Sequence, residues 1–81
     1  MKLEINKIAK LSNDERYIIL NELNYEGFMY YLTMGLISDK EFDSSKVVIL
    51  KEIQDNGSYY IEKVTDSNIL YELTKRFKEQ L

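Results

Sequence analysis

The 81-residue chain contains no cysteine and no histidine. Without cysteine it can form neither a disulfide framework nor a thiolate zinc site. Without histidine it lacks the commonest general base, the commonest transition-metal ligand, and the Ser-His and Cys-His arrangements that activate nucleophiles. The sequence therefore predicts a non-enzymatic protein, and we expect no cofactor.

Long apolar runs are also absent. No segment approaches the length of a membrane span, and the first residues, 1–5, lack the uninterrupted apolar core of a signal peptide. We therefore expect a cytoplasmic protein that makes no membrane contact.

Positive charge is scarce, with only Arg16 and Arg76 as arginines and a net charge of -3. Residues 13–45 carry seven acidic and two basic side chains. Gripping a phosphate backbone requires clustered basic side chains. This charge balance disfavours direct nucleic-acid binding.

The clearest structural signal is a hairpin over residues 47–65, where two strand-like runs flank Asn56-Gly57. A two-residue turn there places apolar side chains opposite apolar ones and charges opposite countercharges. The predicted pairs are Ile53 with Tyr60, Lys51 with Glu62, and Ile49 with Val64.

Another hairpin, which comes first along the chain, is predicted from two strand-like runs, residues 16–23 and 28–36, around Glu26-Gly27. Its predicted pairs are Tyr25 with Phe28, Leu23 with Tyr30, Asn21 with Leu32, and Ile19 with Met34. A helix over residues 12–23 is the alternative, because Ser12 to Glu15 match a capping box. We favour the strand, since Tyr17-Ile18-Ile19 is rich in β-forming side chains.

The remaining segments complete one domain over residues 1–81. We expect a short first strand near residues 2–9 and a long loop over residues 38–46. Apolar residues at four-residue intervals after Thr65 predict an amphipathic helix capped by Asp66 or Ser67. The predicted fold is α+β, a four- to five-stranded antiparallel β-meander with the C-terminal helix packed on one face.

One protein family has a similar order of strands and turns followed by a C-terminal helix. The landmarks are Tyr17 to Glu22, Tyr25-Glu26-Gly27, Tyr30, Val47 to Leu50, Gly57, Val64, Asp66 and Phe77. In these the chain resembles the YrzB-like family of small Firmicute proteins of unknown function, whose short relatives occur in phages and mobile elements. The resemblance implies the fold and an intracellular Gram-positive setting, and it implies no active site.

Both faces of each predicted hairpin are substantially apolar, and one helix of about fifteen residues cannot cover two sheet faces. Twist and ordinary surface hydrophobes account for some of this. The more specific interpretation is that the remaining apolar residues form a surface that contacts another protein, since tyrosine and methionine are enriched at interfaces. We expect docking onto a protein partner or self-association, with a homodimer plausible. The predicted interface residues are Met29, Tyr31, Leu50, Tyr59 and Ile61.

Two alternative functions remain. The acidic residues Asp39, Glu41 and Asp43 are the basis for an anti-CRISPR-like inhibitor that blocks a basic nucleic-acid channel of a host effector. These three alternate like calcium-loop ligands, but Ser44 and Leu50 occupy the positions that need glycine and glutamate, so a solvated loop is preferred. A small nucleic-acid-binding regulator is the second alternative, and it is most plausible if residues 12–23 are helical.

Overall fold

A computed structural model of the chain describes residues 4–11, 14–38 and 40–80. The elements are β1 Ile8–Lys10, β2 Arg16–Tyr25, β3 Phe28–Ser38, β4 Glu41–Asp55, β5 Ser58–Lys63 and α1 Ser67–Glu79. The strands form one sheet in the order β1-β2-β3-β4-β5, and every neighbouring pair is antiparallel. This confirms the α+β meander with five strands. Within the described ranges no helix has the length and apolar character needed to cross a membrane.

Both predicted turns close two-residue hairpins. Asn56 and Gly57 have φ of 50° and 83°, and Glu26 and Gly27 have φ of 52° and 87°, as a type I′ turn requires. In the second hairpin Lys51 pairs with Glu62 and Ile53 with Tyr60, and the Val64 N–H donates to the Ile49 carbonyl at 2.9 Å. The predicted register of this hairpin is confirmed.

The first hairpin differs from the prediction at one point. Residues Arg16 to Leu23 form a strand, as favoured, and the pairs nearest the turn are confirmed. Beyond them, Leu20 is an extra residue in β2, so Ile18 instead of Ile19 lies opposite Met34. The predicted pairing of Ile19 with Met34 is wrong, because a β-bulge moves every earlier side chain of the strand to the other face.

The segment predicted as a long loop, residues 38–46, mostly continues the sheet. β4 begins at Glu41, and Phe42 pairs with Leu36. The prediction is wrong because backbone pairing in a hairpin does not need apolar side chains. An irregularity does interrupt the pairing, since Met34 pairs with Val47 while the next residue, Gly35, pairs with Asp43. The first strand, Ile8–Lys10, begins later than expected, and residues 1–3 lie outside the described ranges.

Helix α1 lies on one side of the sheet, here called the helix-side face. It begins at the predicted cap Asp66, whose Oδ1 accepts hydrogen bonds from the N–H groups of Asn68 and Ile69 at 2.9 and 3.1 Å. Its buried residues Leu73 and Phe77 form one core cluster with sheet residues. The sheet residues of this cluster are Leu23, Tyr25, Tyr30, Leu32, Ile49 and Val64.

The opposite side of the sheet, here called the inner face, is covered by the sheet itself. Ile19, Tyr31 and Leu50 are 0% exposed although α1 lies on the other face. The sheet curls so that the end of β5 approaches the start of β2, and the Lys63 ammonium donates to Glu15, just before β2, at 2.7 Å. Strong twist and coiling of a sheet can therefore bury a face without a second layer.

Candidate interaction surfaces

The predicted interface residues all belong to the inner face, but they differ in exposure. Tyr31 and Leu50 are 0% exposed and form part of the core with Ala9 and Ile19. As surface contacts for a partner these two residues were wrongly predicted. The reason is the curling of the sheet, which hairpin pairing by itself does not reveal.

The other three predicted residues lie toward one end of the inner face. Met29 and Ile61 are half-buried, and Tyr59 is 42% exposed. Glu52 lies between Met29 and Ile61 in the sheet register. A depression of about 300 Å³ opens here, which we call the open end. Its lining residues are Gly27, Phe28, Met29, Glu52, Gln54 and Tyr59.

The carboxylate of Glu52 is the unusual group at the open end. Its Oε1 atom is buried, and no donor in the described part of the chain forms a hydrogen bond to it. A desolvated carboxylate oxygen without a donor is costly. Glu52 is therefore a candidate binding residue that the sequence analysis did not identify.

The other end of the inner face is closed by charged side chains, and we call it the closed end. Glu15 accepts hydrogen bonds from Lys46 and from Lys63, and both ammonium groups lie over the Tyr17 ring at 5.4 and 5.6 Å from its centroid. Hydrogen bonding to Glu15 is the main reason that the pKa of each lysine is raised above 10.5. The buried Tyr17 hydroxyl adds to this effect, although its geometry falls short of a regular hydrogen bond. Each charge at the closed end thus has a partner of opposite sign.

A glycine makes room for the closed end. Gly35 lies opposite Tyr17, and a side-chain carbon added to it would meet Cδ of Lys46 at 2.8 Å. The stem of Lys46 therefore crosses the sheet where glycine leaves space, which lets its ammonium group reach Glu15. Any larger residue here would displace Lys46.

Of the predicted acidic segment, the structure describes Glu41 and Asp43. Asp39 lies outside the described residues, and Glu41 is exposed. Asp43 accepts hydrogen bonds from the backbone N–H and the hydroxyl of Ser45, and these bonds lower the pKa of Asp43 below 3.8. Across the described ranges no three acidic side chains come close enough together to hold a metal ion.

An exposed apolar surface on the helix-side face was not predicted. Ile8, Ile18, Met34 and Val47 are consecutive partners across β1, β2, β3 and β4, and we call them the apolar row. Directly paired residues point to the same face, and Met34 and Val47 lie two residues from Leu32 and Ile49, which contact the helix cluster. Ile8 and Val47 are each 52% exposed. The row thus extends the helix-side face beyond the part that α1 covers.

A trough connects the apolar row to the flank of α1. Part of it has a volume of about 390 Å³, with Val47 and Leu32 on the sheet side and Leu70 and Thr74 on the helix side. A second part of about 650 Å³ shares Leu70 and Thr74 and continues along the helix. Three charged residues line that second part: Lys75, Lys78 and Glu79.

Sequence reasoning missed the apolar row for one reason, which is the bulge at Leu20. The regular register placed Ile19 beside Met34, so it assigned Ile18 to the wrong face. The alternation of Leu32, Met34 and Leu36 was visible in the sequence and would have located the β3 part of this face. Glu52 and Glu15 carried no sequence signal that separates them from solvated surface carboxylates.

Comparison of the chain with protein-family models, with curated proteins and with solved structures found no match. The resemblance to the YrzB-like family stays a prediction.

Proposed function

We propose that this chain is a non-enzymatic protein-binding module that uses the apolar row and the adjoining trough to bind an amphipathic helix of a partner protein. The observation that carries the proposal is the row of four directly paired aliphatic side chains that α1 leaves uncovered. A contiguous apolar patch of this kind marks interaction sites on proteins.

The dimensions of the sheet and the helix explain why the face is incomplete. β3 has 11 residues and β4 has 15, whereas α1 has 13. At about 3.3 Å per strand residue, β3 alone is about 36 Å long. At about 1.5 Å per helix residue, α1 is about 20 Å long. One helix of this length leaves space for a second one beside it.

The shape of the site favours a helix as the occupant. The trough lies between the flank of α1 and the exposed sheet, where a second helix would pack about 8–10 Å from the axis of α1. Sheets of this kind bury a face under helices laid side by side. Leu70 and Thr74 would contact the partner helix from one side, and Val47 and Met34 from below.

The charges around the site favour an acidic partner. Lys75 and Lys78 border the trough on the helix side, and neither forms an ion pair within the described residues. At the far side of the apolar row, Lys10 lies next to Ile8 and forms an exposed ion pair with Asp14 at 3.3 Å. Carboxylates on a partner helix would therefore meet the two lysines along the flank of α1.

Two synthetic peptides test this proposal. Both are 18-residue amphipathic helices with the same leucine face, and they carry either glutamate or lysine on their flanks. The protein is labelled with ¹³C at its methionine methyl groups, because Met34 belongs to the apolar row and Met29 to the inner face. We expect the glutamate peptide to shift the Met34 resonance saturably and the lysine peptide to bind about tenfold more weakly.

Matched variants complete the test. Val47→Ser should weaken the glutamate peptide about tenfold, because it removes about 1.5 kcal/mol of apolar contact. Ile37→Ser is the control, since Ile37 is 60% exposed but neither belongs to the apolar row nor lines the trough. The proposal is wrong if both peptides bind equally or if Val47→Ser has no effect on binding. It is also wrong if the Met34 resonance shifts only when the protein concentration rises and the solution mass doubles, because the surface would then bind a second copy of the chain.

The two alternative functions receive less support. The nucleic-acid-binding regulator was most plausible with a helix over residues 12–23, whereas Arg16–Tyr25 is a strand, so this alternative loses its main support. The anti-CRISPR-like inhibitor stays a prediction, and no contact in the described ranges favours it. Steep loss of a partner with rising salt would support that inhibitor, whereas apolar docking depends less on ionic strength.

A further inference from the structure

We propose that the open end of the inner face binds an alkylammonium group, such as a lysine side chain or a small primary amine, through Glu52 and the Tyr59 ring. This site is separate from the apolar row, since it lies on the other face of the sheet. It does not depend on the proposed helix-binding function.

The first argument is the uncompensated charge. Glu52 is the one charged residue that lines the depression, and its Oε1 is buried without a hydrogen-bond donor in the described part of the chain. The free energy of desolvating a carboxylate is much less favourable when no cation or hydrogen-bond donor replaces the lost hydration. A cation placed in the depression would supply that compensation.

The second argument is that the nearest lysines are held elsewhere. Lys63 lies in the neighbouring row of the inner face, opposite Leu50, but its ammonium donates to Glu15 at the closed end. Lys51 is next to Glu52 in sequence and therefore points to the opposite face, where its ammonium lies 3.9 Å from the centroid of the Phe28 ring. Both lysines are therefore directed away from Glu52.

The third argument concerns the kind of cation. A hard metal ion needs several oxygen ligands, and no three acidic residues within the described ranges cluster in that way. An alkylammonium group needs one carboxylate, an acceptor and an apolar lining. Gln54 supplies an amide oxygen, Met29 an adaptable apolar wall, and Tyr59 an exposed ring for a cation–π contact.

The size of the depression fits a group of this kind. Its volume of about 300 Å³ lies at the small end of ligand pockets, and it opens to solvent. Met29 and Tyr59 both line the depression, and a four-carbon chain with its ammonium group is small enough for its volume. An anionic ligand would instead be repelled by Glu52.

The test uses butylammonium chloride, 1-butanol as its neutral counterpart, and a capped pentapeptide with one central lysine. Protein labelled at the methionine methyl groups reports on the site through Met29, while Met34 reports on the other face. We expect butylammonium to shift the Met29 resonance saturably, 1-butanol to shift it much less, and Met34 to stay unchanged. Binding of the peptide as well would identify a protein side chain as the natural ligand, and binding of the free amine alone would identify a small amine.

Two variants decide whether Glu52 is responsible. Glu52→Gln keeps the size of the side chain and should weaken butylammonium binding at least tenfold. Glu62→Gln is the matched control on the helix-side face and should leave binding within twofold of the unaltered protein. The proposal is overturned if butanol and butylammonium act equally, if neither cation shifts Met29, or if Glu52→Gln binds as well as the unaltered protein. Because Met34 and the leucine-rich peptides report separately, failure here leaves the helix-binding proposal standing.

Discussion

The two ends of the inner face contain similar groups in different electrostatic settings. The closed end has a carboxylate, Glu15, bonded to two lysines above the ring of Tyr17. The open end has a carboxylate, Glu52, near the ring of Tyr59, and no lysine lines it. The comparison shows that a glutamate can stabilise the fold through ion pairs at one end, whereas a glutamate at the other end has no cationic partner among the described residues.

The difference follows from where the sheet closes. Curling brings the start of β2 to the end of β5, so basic side chains from β4 and β5 converge on Glu15. At the opposite end a depression lies between the β2–β3 turn and the parts of β4 and β5 near their connecting turn. The stability of the fold is therefore expected to depend on the closed end and on the buried residues of the inner face. Ligand binding is expected to depend on the open end.

The largest expected effect concerns the buried residues of the inner face that lie between the two ends. Leu50→Ala should lower the free energy of unfolding by about 3 kcal/mol, because Leu50 is 0% exposed and its removal leaves a cavity. Tyr59→Ala, at the open end, should cost less than about 1 kcal/mol because the ring is 42% exposed. Urea unfolding of both variants measures this difference. Equal losses would contradict the assignment of Leu50 to the interior and Tyr59 to the surface.

A smaller effect should have opposite sign at the two ends. Glu15→Gln should lower the free energy of unfolding by about 1–2 kcal/mol, because two ammonium groups lose their shared carboxylate. Glu52→Gln should leave stability unchanged or raise it by up to about 1 kcal/mol, since it removes a partly desolvated charge that has no donor. Thermal and urea unfolding at pH 7 provide the comparison. If Glu52→Gln destabilises as much as Glu15→Gln, the two ends are not different in the way described.

The smallest effect is a dependence on alkaline pH. The pKa values of Lys46 and Lys63 are raised above 10.5, so the stability that they contribute is present below 10.5 and is lost as pH rises through the raised values. Burial also raises the pKa of Tyr30 above 10.0, so the unfolded state ionises first and stability falls further. The urea midpoint should therefore stay level up to about pH 10 and decrease as the pH rises further. Glu15→Gln should decrease less steeply, whereas Glu52→Gln should follow the unaltered protein.

Much of the fold could be predicted because its signals are local. Turn residues that accept positive φ fixed both hairpins, and the four-residue spacing with Asp66 fixed α1. The bulge at Leu20 could not be predicted, because no glycine or charge marks it in β2. That single residue exchanged the faces of Ile18 and Ile19 and so concealed the apolar row.

The candidate sites were predicted less well. Met29, Tyr59 and Ile61 were correctly grouped on one face, but Tyr31 and Leu50 on that face are interior. Exposure depends on which segments cover a residue, and this is a property of the whole sheet. Pairing patterns along two strands carry no information about curling.

The amino-acid sequence by itself determined the strand order, the two turns, the helix and its cap, because each depends on residues a few positions apart. Only the tertiary structure decided which apolar residues are buried, which remain exposed, and which carboxylate forms ion pairs with lysines. Those outcomes depend on how far the sheet curls. Curling brings Glu15 and Lys63, which are 48 positions apart, into contact.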